Sequence, residues 1–480
     1  MTGTGRTEKG RTGKLPAGKG RRRTVVLDVV GLTPRILEHM PALRAVAAEG
    51  FSAELTTVFP ALTCPVQSSI LTGSMPDEHG IVGNGWFFRD AGEIFHWRQS
   101  NSLVHGDKLW AAGRRADPDY RVGNICWWYA MGMDVDVTVT PRPVYHYDGR
   151  KSQDCYAHPQ SVHDELTAAL GPFPLFSYWG PGAGLASTQW IVRAAQHLLD
   201  TRAPDTLLVY LPHLDYELQR HGPDGPQAVA AARAVDDVIA PLLARLRAEG
   251  TTVVALSEYG ITAARRPVDI NRALRREGLL NVYVQQDMEN LDPWTSAAFA
   301  VADHQVAHIY VRDPADIPRT REVVKSLPGV DRILDRGEQG TLRIGHERAG
   351  ELVAIAEPDA WFTYYYWLDD DLAPDFATGV EIFRKAGYDP AELFLDPTDP
   401  TVKVRAAVSL AKLKLGIRTS LQVVGLDPSC VSGSHGRLPD DPRDGPLLIC
   451  SDPEQGRDRF HVTEVKDLLL RLNGLAEPVS

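Results

Sequence analysis

The chain has 480 residues, 43% hydrophobic and 24% charged, with 51 Lys and Arg against 62 Asp and Glu for a net charge of −11. That composition excludes global disorder, a collagen-like chain and a disulfide-stapled miniprotein. The acidic balance argues against a structural nucleic-acid binder, whose affinity rests on Lys and Arg neutralising phosphates.

Charge is unevenly spread. Residues 1–23 hold eight Lys and Arg against a single acid, Glu8. This Gly- and Thr-rich stretch reads as a disordered basic tail, without the apolar core of a secretory signal. No segment approaches the ~18 apolar residues of a membrane span, so no membrane is expected as a partner. Cys64, Cys126, Cys155, Cys430 and Cys450 are odd in number and form no CxxC pair. They read as reduced thiols of a cytoplasmic protein.

Residues 24–30 (TVVLDVV) form a near-continuous β-branched run, the pattern of a strand buried on both faces. A helix is expected over 34–49, closed by Gly50. Strand-like 205–212, a long amphipathic helix over 227–249 and strand-like 251–256 continue the alternation. Strands alternating with helices predict an α/β fold with a mainly parallel central sheet sandwiched by helices. Residues 263–431 are less regular, with strand-like runs at 298–311 and 351–366. The Asp- and Pro-rich 368–429 reads as an inserted cap on a domain spanning 24–480. A short buried strand (446–451) and a helix (463–472) close the chain.

Ligands of such sheets bind beyond the carboxyl ends of the strands. Asp28, Asp215 and Glu258 each fall at or just after a strand end. Three acids on one edge repel each other unless cations bind, so together they point to a metal site. Taken singly, each is equally well a helix cap or a loop residue. Thr63 precedes Pro65 at the start of a helix expected to stop at Gly73, where free N–H groups favour an anion.

The tract FPALTCPVQSSILTGSMPDEHGIVGN, residues 59–84, resembles the type I phosphodiesterase/nucleotide pyrophosphatase family of the alkaline phosphatase superfamily. The resemblance rests on Phe59, Pro60, Thr63, Pro65, Thr72, Gly73, Pro76, His79, Gly80, Ile81 and Asn84. LDVVGL (27–32), HLDYELQRHGP (213–223), SEYG (257–260) and GSHG (433–436) follow in the family's order. The resemblance implies an alkaline phosphatase-like fold and two divalent metal ions. It implies Thr63 as nucleophile, through a phospho-threonine intermediate, and Asn84 as donor to a phosphate oxygen. It implies Asp28, Thr63, Asp215 and His435 as metal ligands. His79 reads as a turn residue.

Two departures stand out. SEYG replaces the family's SDHG, so Glu258 and Tyr259 stand where an Asp and a His are expected. Glu258 keeps a carboxylate ligand, while Tyr259 is an uncommon one. Gln219 stands where the family has a His. It ranks first as replacement ligand, ahead of His221 and then His213, which on a strand would face the same side as Asp215. An oxygen-rich donor set suits Mn²⁺ or Mg²⁺ better than Zn²⁺. Trp127, Trp128, Tyr364, Tyr365 and Tyr366 are candidates for base stacking as well as for plain packing.

The implied activity is metal-dependent hydrolysis of phosphodiester or pyrophosphate bonds in a small phosphorylated substrate, a nucleotide being one candidate. The alternatives are a phosphonate or phosphomonoester hydrolase, and a non-catalytic ligand-binding relative with altered metal ligands. A sulfatase is disfavoured, because Cys64 stands directly before Pro65 and lacks the CxPxR spacing.

Overall fold

The computed structural model describes residues 21–475 apart from 149, 418 and 420. Most of the expected basic tail, residues 1–20, lies outside the described residues. Its last part is folded in. The Arg21 guanidinium donates to Asp205 (2.9 Å) and pairs with Asp117, so the ordered body begins before residue 24.

Thr24–Val29 is the centre of the molecule, and all six of its residues are buried. It pairs in parallel with Thr206–Leu211 on one side and Thr252–Leu256 on the other. β-Branched and aliphatic side chains on both faces suit a strand that meets helices above and below. Nine strands make the sheet, in the order Arg459–His461, Phe51–Thr56, Leu447–Cys450, Thr252–Leu256, Thr24–Val29, Thr206–Leu211, Val122–Ile125, Val137–Pro141 and Cys155–His158. Leu447–Cys450 runs antiparallel to both its neighbours, and Cys155–His158 is an antiparallel edge; the other pairings are parallel.

Helices flank the sheet. Pro226–Ala248 packs against Pro41–Glu49 and Leu185–Thr201, while Thr63–Thr72 packs against Val465–Leu472. The helix expected over 34–49 is two pieces, Pro34–Leu37 and Pro41–Glu49. Pro41 offers no N–H and disfavours helical geometry at the residue before it; Met40 takes φ −118°, ψ 78°.

The irregular region contains a second, antiparallel sheet in the order Ala298–Asp303, Val306–Val311, Leu352–Ala356, Val330–Leu334. A core of its own lies on it, with Ile270, Leu274 and Val324 from flanking helices. The strand-like run at 298–311 is two strands joined by the two-residue turn His304–Gln305. Such turns usually declare themselves through Gly or Asn at positive φ; here His304 carries φ +57°. Within 368–429 the described residues form short 3₁₀ turns and one helix, Val402–Lys414.

Gly260 fixes the approach of the loop after Thr252–Leu256. A Cβ there would lie 1.7 Å from the Asp444 carbonyl oxygen and 2.8 Å from Thr33 Cγ2. Gly260→Ala is expected to destabilise the protein by roughly 3 kcal/mol or more, because backbone must move to admit the methyl. Urea unfolding of the variant beside the wild type checks this.

Candidate active site

The sheet brings Asp28, Asp215 and Glu258 together at its carboxyl edge. Asp28 is the penultimate residue of Thr24–Val29, in register with Tyr210 and Leu256. Glu258 follows Thr252–Leu256 by two residues. Asp215 lies in the first turn of the helix His213–His221, which begins just after Thr206–Leu211. All three are buried. The Asp28 and Glu258 carboxyls are close enough for each to shift the other's ionisation. Among the described residues no Lys or Arg pairs with any of the three, and the basic group within reach is His435, its Nε2 4.0 Å from Asp215 Oδ1.

Burial without a countercharge has a clear electrostatic result. Desolvation pushes Asp28 and Asp215 up to about 7. Glu258 is pushed well above the carboxylate range by burial and then by the charge of Asp28. Asp28 Oδ1, Asp215 Oδ1 and both Glu258 oxygens have no hydrogen-bond partner. Buried unpaired carboxylates of this kind are costly unless they hold a cation.

His435 is arranged to suit one. Its Nδ1 lies 2.9 Å from the Ala61 carbonyl, which can only accept, so Nδ1 carries the proton. Burial lowers its pKa to about 3, leaving Nε2 as a neutral lone pair facing Asp215. The donor atoms thus fall into two sets: Asp28 with Glu258, and Asp215 with His435 and Gln219. Each set holds only two acid or imidazole donors. Among the described residues, the trio of His, Cys, Asp and Glu donor atoms within 4.8 Å of one another is elsewhere, at Asp154, Cys155 and His163. There burial pushes the thiol up to about 12, and the imidazole already bridges Asp154 (2.8 Å) and Asp164 (3.0 Å).

Thr63 is the first residue of the helix Thr63–Thr72, every side chain of which is buried; Gly73 ends it at φ +71°. Leu62 holds the cap position and makes no side-chain cap. The Thr63 hydroxyl is therefore not spent on capping; it lies 3.0 Å from the Tyr259 hydroxyl. Asn84 is fastened beside it. Its Oδ1 accepts from the Cys64 N–H (2.9 Å), and its backbone N–H and Nδ2 donate to Asp303 (2.9 and 3.2 Å). His79 holds the preceding turn, accepting from the Ile81 N–H and contacting Ser69 Oγ at 2.9 Å.

The candidates for the missing imidazoles separate. Gln219 lies one turn after Asp215 on the same helix face, and its amide draws the Asp215 pKa down. Its Oε1 accepts from the Tyr388 hydroxyl at 3.0 Å. His213 is on a helix, not a strand, so two residues place it about 200° around the axis from Asp215. His221 turns outward to Glu217, 3.6 Å away. His213 is nonetheless buried, with no hydrogen-bond partner at Nδ1.

Four residues enter that the sequence did not single out. Gln67, one turn after Thr63, donates to Asp28 (3.3 Å) and accepts from the Trp128 N–H (2.8 Å). Its spacing of one turn from Thr63 on a helix was its signal. Asp303 and His304 arrive on the hairpin of the second sheet, and Tyr388 from the irregular stretch before the 3₁₀ turn Pro390–Leu393. Tyr259, His435, His304 and Tyr388 form one column of rings, with successive centroids 3.6, 3.7 and 3.9 Å apart. Of the proposed stacking residues, Trp127, Tyr364, Tyr365 and Tyr366 are packed in the two cores. Trp128 alone approaches the site, against Trp97 (4.6 Å).

Residues 24–389 match the model of the type I phosphodiesterase / nucleotide pyrophosphatase family. The chain belongs to that family. It is 24% identical over 246 residues, 50% of its length, to an uncharacterized pyrophosphatase/phosphodiesterase of Schizosaccharomyces pombe, and 27% identical over 142 residues, 28% of its length, to a bis(5'-adenosyl)-triphosphatase of Xenopus laevis. These alignments cover 43% and 30% of the two relatives, so the chain spans less than half of either. Its fold is that of phosphonoacetate hydrolase from Sinorhizobium meliloti, solved with phosphonoformate (TM-score 0.60, 17% identity, 94% of this chain and 96% of that one). It is also that of murine ectonucleotide pyrophosphatase / phosphodiesterase 5, solved in an inactive form with AMP (TM-score 0.57, 15% identity, 96% and 97%).

The raised carboxyl pKa values set a pH dependence for this family member. Folded-state values of about 7 against an ordinary 3.8 mean that the stability from the protonated forms is full below about pH 4 and is lost as pH rises through about 7. Metal-stripped protein is therefore expected to melt lower at pH 8 than at pH 6. Added Mn²⁺ should raise the melting temperature more at pH 8, where it need not displace protons. Thermal melts with chelator and with Mn²⁺ at both pH values check this.

Proposed function

We propose that this chain is a phosphoric-ester hydrolase that cleaves phosphodiester or pyrophosphate bonds with Thr63 as nucleophile and divalent cations as cofactors. The observation that carries the reading is a buried Thr63 hydroxyl held by Tyr259, with Asn84 anchored to the next residue and buried carboxylate oxygens without partners acting on the same Tyr259. Family membership supports the same reaction class. Bound cations would make the hydroxyl acidic enough to ionise and offset the charge of the phosphoryl group.

The chain's own residues supply the rest. Tyr259 holds Thr63 Oγ1 in one orientation through the 3.0 Å contact. Thr63 Oγ1, its proton given up to solvent, attacks phosphorus and the leaving ester oxygen departs with a proton, giving a phospho-threonine that still carries the second ester group; water then attacks the same phosphorus, releasing the phosphomonoester and returning a proton to the threonine oxygen. Asn84 Nδ2 has two N–H groups, one committed to Asp303. The second is left for a non-bridging phosphate oxygen, a donor fixed before the substrate arrives. Asp28 and Glu258 with Thr63, and Asp215 and His435 with Gln219, would hold the cations. The first set is all oxygen, which favours Mn²⁺ or Mg²⁺ over Zn²⁺. Five free thiols fit work in a reducing compartment such as the cytoplasm.

One observation favours the alternative of a phosphonate or monoester substrate. Thr63, Asn84, Asp215, Glu258, Tyr259 and His435 are each no more than 7% exposed, and Tyr388 seals one side. So closed a site suits a small substrate. Retention of both Thr63 and Asn84 favours catalysis over a purely binding role.

Hydrolysis of bis-p-nitrophenyl phosphate, p-nitrophenyl phosphate and phosphonoacetate by metal-stripped protein resupplied with one cation at a time separates these readings. Diester turnover restored best by Mn²⁺ or Mg²⁺ and abolished in Thr63→Ala is expected; best recovery with Zn²⁺ alone would reject the metal assignment. Tyr259→Phe is expected to cut kcat about tenfold with little change in KM, the loss of one positioning hydrogen bond.

A further inference from the structure

The helix Val402–Lys414 has two apolar faces and only one of them is covered. Val402 and Ala406 pack against Ala391, Val423 and Val424. On the opposite side Val404, Val408, Ala411 and Leu415 follow at the spacing of a single stripe, and all are exposed. Val404 is 66% exposed, Val408 48% and Leu415 76%, and Ile417, beyond the end of the helix, is 49% exposed. Isolated exposed apolar side chains are ordinary, but a continuous stripe on one helix is not.

The flanks of the stripe are basic. Residues 401–417 contain Lys403, Arg405, Lys412 and Lys414 and no Asp or Glu, in a chain of net charge −11. Arg405 is paired with Asp399 at 2.5 Å. Among the described residues no carboxylate pairs with Lys403 or Lys412, which project on either side of the stripe. The face extends beyond the helix. A Cβ at Gly416 would lie 3.5 Å from the Arg150 guanidinium, which brings the hairpin of Val144–Tyr145 and Lys151–Ser152 alongside. The tip of that hairpin presents Tyr147, wholly exposed.

We infer that this face docks on an anionic phospholipid surface, the helix lying in the interface without spanning it. An apolar stripe bordered by lysines, with an aromatic residue at an adjacent loop tip, matches the chemistry of such an interface. Charge complementarity selects this occupant over a second copy of the chain, because a two-fold pairing of the helix would set lysines against lysines. The inference does not depend on the proposed hydrolysis.

The test is co-sedimentation of the full chain with phosphatidylcholine vesicles, alone or with about one-third phosphatidylglycerol. Binding is expected only to the anionic vesicles and should weaken steeply at high salt. Lys403→Glu/Lys412→Glu is expected to weaken it roughly 25-fold or more, at about fivefold per lysine removed from an anionic surface. Val408→Asp/Leu415→Asp should abolish it, with an unchanged thermal melt showing that the fold survives. No binding to anionic vesicles, or binding indifferent to these variants, would overturn the inference. So would concentration-dependent self-association, seen by sedimentation velocity, that Val408→Asp/Leu415→Asp removes, since the face would then be an interface between copies.

Discussion

Three carboxylates buried at one edge of a sheet are the constraint around which the rest of this molecule is arranged. Asp28 and Glu258 sit on adjacent parallel strands, one on the strand and one just past its end, and the crossing of the chain over the sheet adds Asp215. The fold cannot relax them apart, because Thr24–Val29 is locked between neighbours on both sides. Nor, among the described residues, does it neutralise them with a Lys or Arg. It surrounds them with neutral hydrogen-bonding groups: Gln67, Gln219, and a His435 held neutral by burial and by the Ala61 carbonyl. A protein that needed only to bury charge would pair it. Burying it unpaired costs stability, and that cost is what a bound cation would offset under the proposed function.

The second sheet acts on the same centre from outside. Its first hairpin ends in a two-residue turn whose leading residue, His304, takes a positive φ that a β-carbon makes unfavourable. The strain is fixed by what the tip does. Asp303 accepts from the backbone N–H and from one Nδ2 N–H of Asn84, and the His304 ring slides between His435 and Tyr388. Asn84 is thus held between the Thr63 helix, through Cys64, and a strand over two hundred residues later in the chain.

This division explains how much was legible in the sequence. The central strands announce themselves because burial on both faces demands an unbroken apolar run, and an acid inside or just after such a run is conspicuous. Asp28, Asp215 and Glu258 were visible for that reason, and Thr63 and Asn84 through the family's tract. Asp303 sits at the end of the run AFAVAD and carries the same signal, but the turn after it has no Gly or Asn, so two strands read as one. Tyr388 was hidden differently. It lies in a stretch of short 3₁₀ turns with no periodicity, and only tertiary packing brings it to Gln219. The helix break at Met40 was legible in Pro41 and was overridden by the amphipathic pattern on either side. The order His213, Asp215 suggested a shared face only while the segment was taken for a strand; a helix separates them.

The two departures from the family's ligand pattern are physically one change. Tyrosine at 259 stacks flat on His435 at 3.6 Å and sends its hydroxyl to Thr63. Glutamine at 219 meets the hydroxyl of Tyr388, the ring that ends the same column on the other side of His304. An imidazole at 259 would give up the reach to Thr63, and an imidazole at 219 would have to displace the Tyr388 hydroxyl. The column of four rings therefore links Thr63, through Tyr259, to Gln219 beside Asp215, through close packing that does not deform continuously. The residues at 259 and 219 thus meet opposite ends of one stack, and a change of shape at either end is passed to the other.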